Sequence, residues 1–232
     1  MSETLTISAR FCGPPTSGNG GYSAGLLAGL LDSQQPIEVT LRAPPPLDRP
    51  LCVTRGDTFT LHADETLIAQ AKPVALELPL ARAPSLGESI DAVSRYPGFG
   101  KHVFPTCFVC GPARAAGDGL RIFAGPVAGT QLYAAPFTPD ASLPCRGSQL
   151  APEIVWAALD CPGYFACLAG RPALLGRISA QLLDRPAPGT QCIVAAWALG
   201  HQGRKYQAAT ALYGAAGELY AYALQTWLLM PS

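Results

Sequence analysis

The sequence predicts an α+β protein built from two copies of one unit, each a curved antiparallel sheet around a central helix. Three observations predict it. A strand, a turn-rich loop, a short helix and several strands follow one another over residues 4–78, and a strand, a helix and four more strands follow over residues 131–229. The second helix, residues 151–167, is almost entirely apolar, as buried helices are. The chain of 232 residues is 49% hydrophobic and 14% charged, well under the usual ~25% charged, which implies a large interior.

Taken in order, residues 4–11 alternate apolar and polar side chains and predict a strand. Residues 12–21 (CGPPTSGNGG) form a turn-rich loop, and residues 22–31 (YSAGLLAGLL) a short helix. Gly21, Gly25 and Gly29 share one face of it. Each interior glycine costs roughly 1 kcal/mol of helix stability relative to alanine. Something must therefore approach that face closely, with tight packing the plain expectation and a ligand the other. Strands follow at residues 37–43, 51–55, 58–62 and 66–78. Residues 83–105, rich in Pro, Gly and Ser, read as a connector pinned by Tyr96 and Phe99. The expected division is residues 1–82, connector 83–105, and residues 106–232.

In the second unit, Pro152 suits a first helical turn and Glu153 complements the helix dipole. Asp160 is the single carboxylate in the C-terminal half of this helix. An Asp there is costly unless paired, hydrogen-bonded or protonated. Pro162 and Gly163 are expected to end or kink the helix just beyond it. Residues 174–183, 192–199, 205–213 and 219–229 are the closing strands.

The net charge is zero, so no global basic field points to nucleic acid. No apolar run reaches the roughly 18 residues a membrane helix needs. Residues 1–10 read as polar and strand-like, not as a secretory leader, so the eight cysteines are expected reduced and the compartment cytoplasmic. Cys107 and Cys110 have a zinc-type spacing. No second CxxC or local histidine pair completes four ligands, so a buried structural turn and no metal are expected.

Short segments resemble the hotdog-fold acyl-CoA thioesterases. CFVCGP with GDGLRIF is similar to the CxxCG…GL opening of the phenylacetate-pathway type. SGNGGYSAGLL is similar to the segment opening the central helix in double-hotdog thioesterases, and GRK with the turn GAAGEL to the last hairpin. The resemblance implies a double hotdog with a site between its two units. There, a backbone N–H at the start of one helix polarises a thioester carbonyl, and a carboxylate on the other acts as base or nucleophile. Carried onto this chain, Gly21, with Gly20 beside it, is the polariser and Asp160 the base or nucleophile. Asn19, Gly20, Ser17 and Trp156 are the substrate-side residues, with Thr16 nearby. The plain alternatives are turn and cap chemistry for the loop residues, core packing for Trp156, and a buried cap of the broken backbone for Asp160.

The implied function is hydrolysis of an acyl-CoA or acyl-carrier thioester without cofactor or metal. The alternative is a non-catalytic acyl or acyl-CoA binding protein, and a third reading is a structural scaffold. Neither nucleic acid nor membrane is an expected partner, and a homodimer or higher homo-oligomer through the sheet edges is. Arg177, Arg204 and Lys205 are cations for coenzyme A phosphates or merely solvated charges.

Overall fold

The computed structural model describes residues 3–31 and 33–231. Met1 and Ser2, part of the N-terminal stretch read as strand-like, lie outside the described residues. The first half supplies strands β1 (Glu3–Thr6), β2 (Ile37–Leu41), β3 (Pro50–Thr54), β4 (Phe59–Ala63) and β5 (Thr66–Pro73) and helix α1 (Gly20–Ala28). A linking segment carries α2 (Leu86–Val93). The second half supplies β6 (Gly125–Pro126), β7 (Leu132–Phe137), the two-residue strands β8 (Cys145–Arg146) and β9 (Gln149–Leu150), helices α3 (Pro152–Ala158) and α4 (Asp160–Leu168), and the long strands β10 (Ala173–Leu182), β11 (Cys192–Gln202), β12 (Lys205–Gly214) and β13 (Leu219–Leu229).

Eleven strands make one antiparallel sheet in the order β1-β3-β4-β5-β2-β10-β13-β12-β11-β7-β6. The halves join where β2 pairs with β10, Ile178 opposite Val39 and Ala180 opposite Ile37. Alternating strands bury alternate residues: in β3, Leu51 and Val53 are buried and their neighbours exposed. Residues 192–197 of β11 are buried without alternation. Both faces are covered there, as a continuous apolar run requires. The inner face packs on the helices, and the outer face lies under the linking segment. Leu78, Ala81 and Ala83 pack on a second apolar cluster that includes Val127, Ala195, Trp197 and Tyr213. The Tyr213 hydroxyl donates to the Ala81 carbonyl at 3.0 Å.

The linking segment is more ordered than its composition suggests. Ser85 and Glu88 form a reciprocal capping box at the start of α2. The S-x-x-E signal stood in the sequence, masked by the surrounding Pro and Gly. The second helix also differs from expectation. Its break falls at Leu159, before Asp160, and Pro162 and Gly163 sit inside α4. Proline in a first turn needs no N–H, so Pro162 begins a helix here instead of ending one.

The glycine face of α1 packs on α3. A Cβ on Gly25 would lie 2.6 Å from Glu153 Cα and 2.7 Å from Trp156 Cβ, and one on Gly21 would lie 2.6 Å from both Asp160 Cβ and the Trp156 carbonyl. The missing side chains thus set the helix separation. Gly25→Ala gains about 1 kcal/mol of helix propensity and forces two helices apart, an overpacking that costs about 1–3 kcal/mol. Urea unfolding is expected to show a lower midpoint for Gly25→Ala. An unchanged or raised midpoint would mean that the contact is loose.

Candidate active site

Residues 11–19 form a compact loop ahead of α1. Asn19 N–H donates to Phe11 O, and Gly18 N–H to Pro45 O, both at 2.8 Å. Asn19 is the N-cap of α1, its side-chain oxygen accepting from Tyr22 N–H at 2.9 Å. The cap leaves the amide nitrogen free, and Asn19 Nδ2 donates to Asp160 Oδ2 at 2.7 Å. Gly21 N–H donates to the same oxygen at 2.9 Å. Two donors from the first half thus converge on the carboxylate of the second. Asp160 is 2% exposed, and its other oxygen, Oδ1, is buried without a hydrogen-bond partner.

The helix break is satisfied from the sheet. The Thr210 hydroxyl donates to the Leu159 carbonyl at 2.9 Å. The Gln225 amide donates to the Leu159 carbonyl and, at 3.1 Å, to that of Asp160. Trp227 Nε1 fixes Gln225 by donating to its Oε1 at 2.8 Å. The backbone around Asp160 therefore needs nothing from its own side chain. The plain alternative of a self-capping Asp is not what the structure shows.

Ser17, Asn19 and Gly20, with Thr16, line a cavity of about 400 Å³ that Asp160 also faces. Gly21 reaches the site through its N–H, which is directed at Asp160. Trp156 is not part of the cavity wall; it is buried against Gly25 of α1. Sharing a helix face with Asp160 does not carry it there, because the chain turns between them at Leu159. Leu175, Tyr164, Trp227 and Phe104 complete an apolar wall. Exposed Leu174, Leu228 and Met230 stand at its edge. Arg42 lines the cavity, whereas Arg177, Arg204 and Lys205 do not.

Sequence reasoning missed Cys161 and His102 as cavity residues and Thr210 and Gln225 as supports. Only Cys161 had a signal, its place beside Asp160. His102 is brought in by tertiary folding alone, and burial lowers its pKa.

Burial pushes the Asp160 carboxyl up to about 7, against the lowering pull of the Gly21 N–H; Cys107 adds to the rise and Asn19 opposes it. An unfolded Asp titrates near 3.9, so the folded chain holds this proton more tightly. The resulting stabilisation is complete below about pH 4 and is lost as pH rises through about 7. At about 1.4 kcal/mol per unit, the loss reaches at most about 4 kcal/mol. Asp160→Asn keeps an acceptor for both donors and cannot ionise. In reduced, chelator-treated protein it is expected to raise Tm near pH 8 and to change it little near pH 4. Equal shifts at both pH values would assign the titration to another group.

No family model matches the sequence, and no curated protein matches it. Solved structures match over almost the whole chain. A tesB protein of Mycobacterium avium subsp. paratuberculosis aligns with a TM-score of 0.62 at 14% identity, covering 98% of this chain and 92% of that one. An acyl-CoA thioesterase II of Mycobacterium marinum gives 0.59 at 11% identity, covering 99% and 93%. A hot dog fold protein of unknown function from Alicyclobacillus acidocaldarius gives 0.55 at 12% identity, covering 99% and 93%. At such identities the likeness is one of architecture, and by architecture the chain is a double hotdog.

Proposed function

We propose that the protein hydrolyses acyl thioesters, of coenzyme A or an acyl carrier, in the cavity between its two halves. The observation that carries this reading is the Asp160 carboxylate: one oxygen held by two donors, the other buried at the cavity without a partner. A group held at one end and free at the other is oriented for proton transfer. Its pKa of about 7 suits a base working near neutrality.

In the proposed step, Oδ1 takes a proton from water, the hydroxide adds to the thioester carbonyl carbon, and the C–S bond breaks. The leaving thiolate recovers the proton from Asp160. In the nucleophilic variant, Oδ1 adds to the carbon directly and water then cleaves the mixed anhydride. Gly21 N–H stands at the N-terminus of α1, where negative charge is favoured. In the proposal the carbonyl oxygen shares this donor with Oδ2, whose hold on it weakens as Asp160 is protonated. The apolar wall receives the acyl group. The acyl-CoA thioesterase II among the similar structures supports the reading, and the eight free cysteines suit a reducing compartment such as the cytoplasm.

One observation favours the non-catalytic alternative. The Gly21 N–H is engaged by Asp160 Oδ2. Asp160→Asn separates the two readings. A thioester hydrolase is expected to lose about 10²–10⁴-fold in kcat while still binding a non-hydrolysable analogue, and the wild-type rate is expected to rise with pH through about 7 as Asp160 ionises. Unchanged turnover in the variant would remove Asp160 from the chemistry. No turnover by wild type across an acyl-CoA chain-length series, with analogue binding intact, would favour the binding protein.

A further inference from the structure

Hydrolysis as proposed uses none of Cys107, Cys110 and Cys161, yet their three sulfurs all lie within 4.8 Å of one another and all three residues are buried. Cys107 and Cys110 bracket a tight turn closed by Gly111. Gly111 N–H donates to the Cys107 carbonyl at 2.9 Å, and a Cβ on Gly111 would lie 2.6 Å from Cys107 N and O. Cys161 enters from the first turn of α4, 54 residues further along, with its sulfur 3.7 Å from that of Cys107.

A tetrahedral zinc-type ion bound to thiolates at about 2.3 Å sets its sulfurs about 3.8 Å apart. One edge of that tetrahedron is already formed. The other two need to close by at most about 1 Å from the observed 4.8 Å limit. Asp160 Oδ1, buried and unpartnered on the same cavity wall, does not lie within 4.8 Å of all three sulfurs and is not one of the ligands. His102 is not the fourth ligand. Its Nδ1 accepts from Phe104 N–H at 3.0 Å, which places the ring proton on Nε2 and leaves no lone pair there.

We propose that Cys107, Cys110 and Cys161 bind a thiophilic divalent cation of the zinc class, with an oxygen ligand from solvent completing the tetrahedron. As each S–metal bond forms, any proton on that sulfur passes to solvent, so binding releases acid and weakens at low pH. The sequence pattern pointed away from such a site because the third sulfur comes from tertiary folding and not from local spacing. The readouts below are metal-centred, so they stand or fall whether or not the chain hydrolyses thioesters.

The test is anaerobic titration of the reduced full chain with Co²⁺, followed by displacement with Zn²⁺. One Co²⁺ per chain is expected, with thiolate-to-cobalt charge-transfer absorption and visible bands of tetrahedral intensity. Cys107→Ser and Cys161→Ser should each weaken binding at least tenfold, and Cys52→Ser, at an exposed cysteine, should not. X-ray absorption on zinc-loaded wild type needs no variant to fold, and should count three sulfurs at about 2.3 Å and one lighter atom. Absence of charge-transfer absorption, full absorption in Cys161→Ser, or a zinc shell of nitrogen and oxygen alone would each overturn the proposal.

Discussion

The close approach of α1 to the second half's helices is the constraint on which the rest depends. Without side chains at Gly21 and Gly25, the two helices come near enough for a backbone N–H of one to meet the carboxylate of the other. An alanine at Gly21 would place its Cβ 2.6 Å from Asp160 Cβ, and the bond between halves could not form at its present length. The lost helix propensity, roughly 1 kcal/mol at each position, is offset by the packing and polar contact the approach allows. Of the packing and ligand alternatives open when the glycines are read in sequence, packing against α3 is what the glycine face shows. The tight contact is what assembles the site.

Around that contact the structure satisfies polar groups selectively. The helix break frees two carbonyls, and Thr210 and Gln225 take both. Asn19 serves twice, capping its own helix with its oxygen and holding Asp160 with its nitrogen. Against this thorough pairing, two buried atoms of cavity residues stand out as unpaired, Asp160 Oδ1 and His102 Nε2. Buried polar atoms in native proteins are nearly always paired, so an unpaired one calls for a ligand, a reactant or an ion.

Much of the architecture was legible in the residues. The residue pattern marked the strands β2 to β5 and β10 to β13, but not that residues 192–197 are covered on both faces, which depends on the distant segment around Leu78 and Ala81. Asp160 was legible because a carboxylate in an apolar helix is conspicuous. Its pairing with Gly21 followed from the family resemblance, which sets the start of one central helix against a carboxylate on the other. What was not legible came from long-range geometry. The role of Pro162 depended on whether the helix broke before or after Asp160, which the sheet carbonyl partners decide. Trp156 depended on the same break. Cys161, Thr210, Gln225 and His102 belong to the site only because the sheet and the linking segment fold back on it, and no spacing records that.

The segment bearing Leu78, Ala81 and Ala83 has a consequence of its own. It follows the last strand of the first half, yet it roofs the outer surface of the second. The boundary expected at residue 82 lies within this strap. A cut there would strip cover from Trp197 and Ala195 and leave a wet apolar sheet. The second repeat's sheet thus owes part of its cover to chain on the first repeat's side of that boundary.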